Sequence, residues 1–252
     1  MPKQYTKDAT LNAFLHPSLT EGKIANLYSK GFLNWTGFVK GGDESYTEII
    51  ASHLLLPQNL DILEKTPCVS REASYNIGHD HIPYDPSSKI SGEREEERRA
   101  RNMLGNIYSG IEKIIDYQIP LKNVRNDGTD RKIGKIDLLS YNEKENCVYI
   151  IEYKRPDSPE TLLRCVLEIH TYWCTVDKKK LLRDYEYAAL DPLEIRKAVL
   201  VYQNCQAFND FKAAEKSEAV RELMKKLRVS FFVLNDDDKD IIEQESHKWE
   251  TL

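Results

Sequence analysis

Cys147-Val-Tyr-Ile-Ile-Glu-Tyr-Lys-Arg155 is the stretch whose reading decides the fold. It opens on an unbroken apolar run from Cys147 to Ile151, with polar residues 143–146 before it and Pro156 just after it. Such a run is too short for a buried helix and reads as a central strand covered on both faces. Side chains alternate along a strand, so Val148, Ile150, Glu152 and Lys154 share one face and Tyr149, Ile151 and Tyr153 the other. An acid and a lysine thus leave the C-terminal end of a buried strand side by side, their Cα atoms roughly 6 to 7 Å apart. Burying charge there is costly unless something uses it.

Working upstream, residues 142–146 form a short polar turn, and before it Gly-Lys-Ile-Asp-Leu-Leu places Asp137 inside an apolar run. Strands joined by so short a turn pair antiparallel, which sets Asp137 and Glu152 on neighbouring strands roughly 5 Å apart. The strand of Asp137, residues 133–141, itself returns from a hairpin: Tyr117, Ile119 and Leu121 alternate, and Asn126-Asp127-Gly128 supplies the turn. Before the hairpin, residues 91–114 read as one strong helix, capped by Ser91, with acids in its first turns and an apolar stripe of Ala100, Leu104, Ile107 and Ile111. That stripe runs back through Glu97, which points at whatever the apolar face packs against.

Downstream, residues 160–175 read as a helix with Leu163, Val166, Leu167 and His170 on its apolar side and with Glu168 and Tyr172, four apart, on an adjacent face. His170 is expected as a packed, hydrogen-bonded core histidine. Asp177 opens another helix with Lys178, Lys179 and Lys180 in its first turn, and residues 198–202 and 229–234 are β runs separated by an amphipathic helix over 208–227. The first 90 residues are read as helix and loop. Ser18 and Glu21 suggest a capping box ahead of Ile24, Leu27 and Tyr28, and a second helix over 46–56 is expected to stop at Pro57. His79-Asp80-His81 sits in a polar, proline-punctuated stretch and reads as a solvated loop.

Three segments follow: a mainly helical N-terminal extension (1–90), an α/β core with a mixed central β-sheet flanked by helices (91–235), and an acidic C-terminal tail (236–252). At 252 residues, 40% hydrophobic and 31% charged, with no apolar run of membrane-spanning length, the composition leads to the expectation of a cytoplasmic, soluble chain without a signal peptide. The five cysteines show no Cys-x-x-Cys spacing and speak for reduced core thiols over a disulfide framework or zinc site. The net charge of -5 does not announce a nucleic-acid binder, yet an enzyme that gathers cations needs local acids and can keep its basic residues in patches. Candidate patches are Arg98, Arg99 and Arg101, then Lys154 with Arg155, then Lys178 to Lys180.

An acid, one residue, then lysine is weak by itself and recurs at Glu21, Asp177 and Asp237 in polar surroundings. Only Glu152 and Lys154 end a buried strand beside a strand with its own interior acid. Two carboxylates at a sheet edge can share a hard cation such as Mg²⁺, which keeps part of its water shell and takes substrate phosphate as a further ligand. Lys154 adds a compact positive charge from the other side. The bland alternative, a buried ion pair with no task, is weakened because such pairs contribute little net stability.

The order helix, strand, strand with Asp137, strand with Glu152 and Lys154, helix with Glu168 and Tyr172, strand resembles the PD-(D/E)XK nuclease superfamily, and within it the RecB-like branch. The resemblance covers residues 91–202 and leaves the N-terminal third outside it. It implies a restriction-endonuclease-like core and a Mg²⁺-dependent nuclease, with Mn²⁺ as an alternative ion, acting on nucleic acid and chiefly on DNA. Asp137 and Glu152 would hold the metal, Lys154 would contact the attacking water or scissile phosphate, and Glu97 would be the acid of the first core helix. Glu168 and Tyr172 correspond to the branch's Gln-x-x-x-Tyr pair, with glutamate for glutamine, which shifts that residue towards metal binding. Ile136 stands where the family name has proline. A non-catalytic nucleic-acid- or protein-binding module on the same fold is the alternative, and a hydrolase of another phosphoester a third.

Overall fold

The expected central strand, β4 (Cys147–Tyr153), is buried along its whole length. In the computed structural model, which describes residues 4–69, 71–78, 95–122, 134–187, 193–213, 218–235 and 240–245, β4 lies in the middle of a seven-stranded sheet whose spatial order follows the chain. The sheet runs β1 (Ile107–Tyr108), β2 (Glu112–Pro120), β3 (Lys135–Asn142), β4, β5 (Glu194–Tyr202), β6 (Val229–Leu234) and β7 (Ile241–Glu245). From β1 to β4 each pairing is antiparallel, β5 and β6 then add parallel, and β7 closes antiparallel. Parallel neighbours need long crossovers. Here these are α5 (Leu162–Thr175) with α6 (Lys178–Asp184), and α7 (Gln206–Lys212) with α8 (Glu218–Lys226).

The alternation read in β4 divides two cores. Val148 and Ile150 face a large cluster that includes Leu163, Val166 and Leu167 of α5 and Leu223 of α8. Cys147, Tyr149, Ile151 and Tyr153 face a second cluster with Ala100 and Met103 of α4 (Glu95–Met103). The N-terminal third lies on the α5 side. It holds α1 (Lys7–Ala9), which runs on into a π-helical stretch over Thr10–Leu15, then short 3₁₀ turns, α2 (Tyr46–Leu54) and α3 (Pro57–Glu64). Its Leu15, Ile24, Leu27, Tyr28, Phe32 and Leu33 join the same cluster as α5.

Several local expectations are corrected. The helix expected over 91–114 ends at Met103, where Gly105 (φ 82°) and Gly110 (φ 87°) take left-handed turns that favour glycine; Ile107, Ile111 and Ile114 belong to the following hairpin. Ile24, Leu27 and Tyr28 are buried, yet only a 3₁₀ turn over Ile24–Asn26 forms there. Pro57 starts α3 instead of merely stopping α2, in line with the tolerance of proline at a first helical position. Within the segment set apart as an acidic C-terminal tail, Ile241–Glu245 pairs with β6 as an edge strand. The expected features Ser91, His79-Asp80-His81, Asn126-Asp127-Gly128 and residues 236–239 lie outside the described residues.

Candidate functional site

The β3–β4 ladder runs to Leu138 opposite Ile151, so Asp137 and Glu152 stand one step further on, where the strands open. Asp137 closes that opening with its side chain. Its Oδ2 accepts from the Tyr153 backbone N–H at 3.1 Å, and its Oδ1 accepts from Gln118 Nε2 of β2 at 2.9 Å. A carboxylate oxygen has a second lone pair, so both contacts leave acceptor capacity.

Lys154 continues the parallel pairing, its N–H donating to Leu200 O at 3.0 Å, and its side chain turns under the start of α5. Its ammonium pairs with Glu152, lies 2.8 Å from Glu160 Oε2 and 3.7 Å from Glu168 Oε2, and is 7% exposed. Arg164 reaches the same group at 3.2 Å from Glu160 and 3.8 Å from Glu168. The start of α5 is clamped there. Thr161 caps the Arg164 N–H and donates its hydroxyl to Leu33 O at 2.6 Å, while the Leu162 N–H donates to Asp210 at 2.9 Å. Further along α5, Tyr172 donates its hydroxyl to Glu168 Oε1 at 2.7 Å, the contact expected of residues four apart on a helix.

Asp137, Glu152, Glu160, Glu168 and the nearby Glu96 outnumber Lys154 and Arg164. Burial pushes the Asp137 carboxyl up to about 7; Lys154 opposes this while Glu96 and Glu168 add to it. Glu152 is driven well above the usual carboxylate range by burial first and then by Asp137 and Glu168. Lys154 is the counterpart: burial works against its charge, but Glu152 and Glu168 overcome that and hold it protonated. Crowded, buried acids of this kind are stabilised as anions by a cation. The donors are all hard carboxylate oxygens, those of Glu152, Glu160 and Glu168 lie within 4.8 Å of one another, and Glu168 Oε2 is buried with no hydrogen bond, its nearest cations being Lys154 at 3.7 Å and Arg164 at 3.8 Å. That set fits Mg²⁺ or Mn²⁺.

Of the residues singled out in the sequence, Asp137, Glu152, Lys154, Glu168 and Tyr172 converge; Glu97 does not. Glu97 faces Lys135 at 3.9 Å. The acid that reaches the site from α4 is Glu96, whose Oε1 accepts from the Arg155 N–H at 3.4 Å and whose carboxyl is raised by burial, with Lys154 opposing. The stripe that carried the expectation used Leu104, beyond the helix end, whereas Ala100 and Met103 are the buried residues, and stepping back four from Ala100 gives Glu96. Glu160 and Arg164 were also missed. The signal was present, since Glu160 follows Pro159 on the connection leaving β4 and must lie near its end.

The other candidates are committed elsewhere. His170 is buried, accepts at Nδ1 from Lys197 at 2.8 Å and lies with Nε2 3.6 Å from Cys174 Sγ. Glu64, His170 and Cys174 are near enough to share an ion. With the ammonium at Nδ1, however, the ring carries its proton on Nε2 and offers no lone pair there. Of the expected basic patches, Lys154 is consumed by the acids, Arg99 pairs with Glu95 at 3.1 Å, Lys178 lies over the Trp173 ring at 3.7 Å, and Lys180 pairs with Asp184 at 2.8 Å. Lys179 alone of its trio is exposed.

Compared with family models, with curated proteins and with solved structures, the chain finds no match in any of the three. No helix of the described residues is long and apolar enough to cross a membrane.

Proposed function

We propose that the protein is a metal-dependent nuclease that hydrolyses phosphodiester bonds, with DNA as the favoured substrate, on a restriction-endonuclease-like core formed by α4, β2, β3, β4, α5 and β5. The observation that carries this reading is the convergence of Asp137, Glu152 and Glu168 around Lys154 at the C-terminal end of a buried strand, with more carboxylates than cations to neutralise them. A purely structural ion cluster has no reason to collect excess charge of one sign, because each uncompensated buried charge costs several kcal/mol, on the order of the penalty for a single buried ion.

Asp137 and Glu152 would hold the cation, with Glu168 Oε2, buried and without a hydrogen bond, as a third oxygen. When bound, the ion supplies a water of lowered pKa and neutralises charge growing on the phosphate. The protein does the remainder. Lys154, fixed by burial, presents a positive charge where negative charge develops, without having to reorganise at that moment. Tyr172 orients Glu168, and Thr161 with Leu33 fixes the helix on which both sit.

The test is incubation of purified protein with labelled single- and double-stranded DNA and RNA in Mg²⁺, Mn²⁺ or EDTA, beside Lys154→Ala. Loss of one preorganised charge contact is worth about 2.7 to 4 kcal/mol, or roughly a hundredfold to a thousandfold in rate. Cleavage that persists in EDTA rules the mechanism out. Tight binding without cleavage of any substrate moves the assignment to a non-catalytic nucleic-acid-binding module on the same fold.

A further inference from the structure

We infer that Tyr28, from the N-terminal third and outside the strands and helix that carry the acids, is a positioning residue that fixes Glu168 through Tyr172. The inference rests on the nuclease reading and deepens it. Tyr28 is 5% exposed, and its ring stands edge-on to that of Tyr172, with centroids 5.4 Å apart and planes at 76°. Burial pushes its hydroxyl up to about 12, and the Tyr172 side chain and the Gly134 backbone, the polar groups that its hydroxyl faces, oppose that rise. Tyr172 has one hydroxyl proton, and that proton is given to Glu168 Oε1 at 2.7 Å. The Tyr172 oxygen therefore accepts from Tyr28, and the chain Tyr28, Tyr172, Glu168 has a single polarity.

The arrangement has little slack. A Cβ placed on Gly134 would overlap the Tyr172 hydroxyl, so only glycine at that position lets β3 approach the ring closely enough. With Oε1 pinned, Glu168 presents Oε2, buried and without a hydrogen-bond donor, 3.7 Å from Lys154 Nζ on the side of Glu152. Partners that orient a metal-ligating carboxylate in this manner typically contribute about tenfold to a hundredfold in metal affinity. Tyr28 thereby ties residues far upstream in the chain to the geometry of the cation site.

The experiment is calorimetric titration of Mn²⁺ into the wild-type chain, Tyr28→Phe, Tyr172→Phe and the double variant. Tyr46→Phe serves as a control that removes another N-terminal hydroxyl, one bonded to the Tyr5 backbone. Tyr28→Phe keeps the ring and its packing, and is expected to weaken Mn²⁺ binding about tenfold. The double variant should be no weaker than Tyr172→Phe alone, and Tyr46→Phe should match the wild type. Gly134→Ala, which displaces Tyr172 with Tyr28 intact, should reproduce the loss. Wild-type affinity in Tyr28→Phe, or losses that simply add in the double variant, would overturn the role of Tyr28 while leaving the metal site standing. A wild-type chain that binds no Mn²⁺ would overturn the metal site itself.

Discussion

Lys154 Nζ lies 2.8 Å from Glu160 Oε2, a contact that joins the end of β4 to the connection leading into α5. With Glu152 and Glu168 also beside it, the ammonium is the main neutralising charge of the site. Replacing Lys154 with Met leaves buried carboxylates uncompensated, a change that costs about 3 to 5 kcal/mol in comparable buried pairs. The melting temperature in EDTA should fall by roughly 10 °C for a chain of this size. Added Mn²⁺ should recover part of the loss by taking over the neutralising role. An unchanged melting curve in EDTA would show that Lys154 is not what holds the acids together.

Glu152→Gln should act in the opposite sense on stability. Burial, Asp137 and Glu168 all disfavour the Glu152 carboxylate, so the neutral amide relieves repulsion in the metal-free chain. Thermal stability in EDTA is expected to hold or rise by about 1 kcal/mol, while Mn²⁺ affinity drops at least about tenfold. A variant that loses stability but keeps metal affinity contradicts the assignment of Glu152 as a ligand.

Glu96 and Glu97 are adjacent in sequence and should differ in effect. Glu96 contacts the Arg155 N–H and bears electrostatically on Asp137, whereas Glu97 faces Lys135. Glu96→Gln is expected to lower the cleavage rate about tenfold or more, and Glu97→Gln by less than about threefold, at saturating substrate. Equal effects, or the reverse order, would return the role to Glu97.

Lys197 offers a pH test away from the acids. Burial pushes its ammonium down to about 8, and the groups around it are His170 at 2.8 Å, the Trp173 ring at 4.2 Å, Cys174, Glu64, Lys178 and Arg228. Between about pH 8 and the ordinary lysine value near 10.4, the unfolded chain binds more protons than the folded one, so this group makes stability rise with pH. Below pH 8 both states are charged and the destabilisation is fully present. Lys197→Met should therefore stabilise the protein by about 1 to 3 kcal/mol at pH 7, a gain that shrinks towards pH 10. Urea denaturation at the two pH values measures it, and a gain independent of pH would exclude the titration of Lys197 as its source.

The sequence by itself determined the middle of the molecule. The apolar run before Glu152 and its alternation are consequences of backbone geometry within a few residues, and β4 divides its side chains between the two cores as that period requires. The same holds for Asp137 on the preceding strand, whose short turn admits only antiparallel pairing, and for Glu168 and Tyr172, which meet because four residues make about one helical turn.

Tertiary structure alone decided which further residues join them. Whether Glu96 or Glu97 faces the site depends on the rotation of α4, about 100° per residue, and that is set by where the helix stops and by Ala100 and Met103 packing on the sheet. Tyr28 reaches Tyr172 from more than a hundred positions away, held by a core that no local pattern announces. The edge pairing of β7 likewise needed β6 to be in place, because a short strand of mixed composition gains its stability from a partner's backbone and not from its own residues.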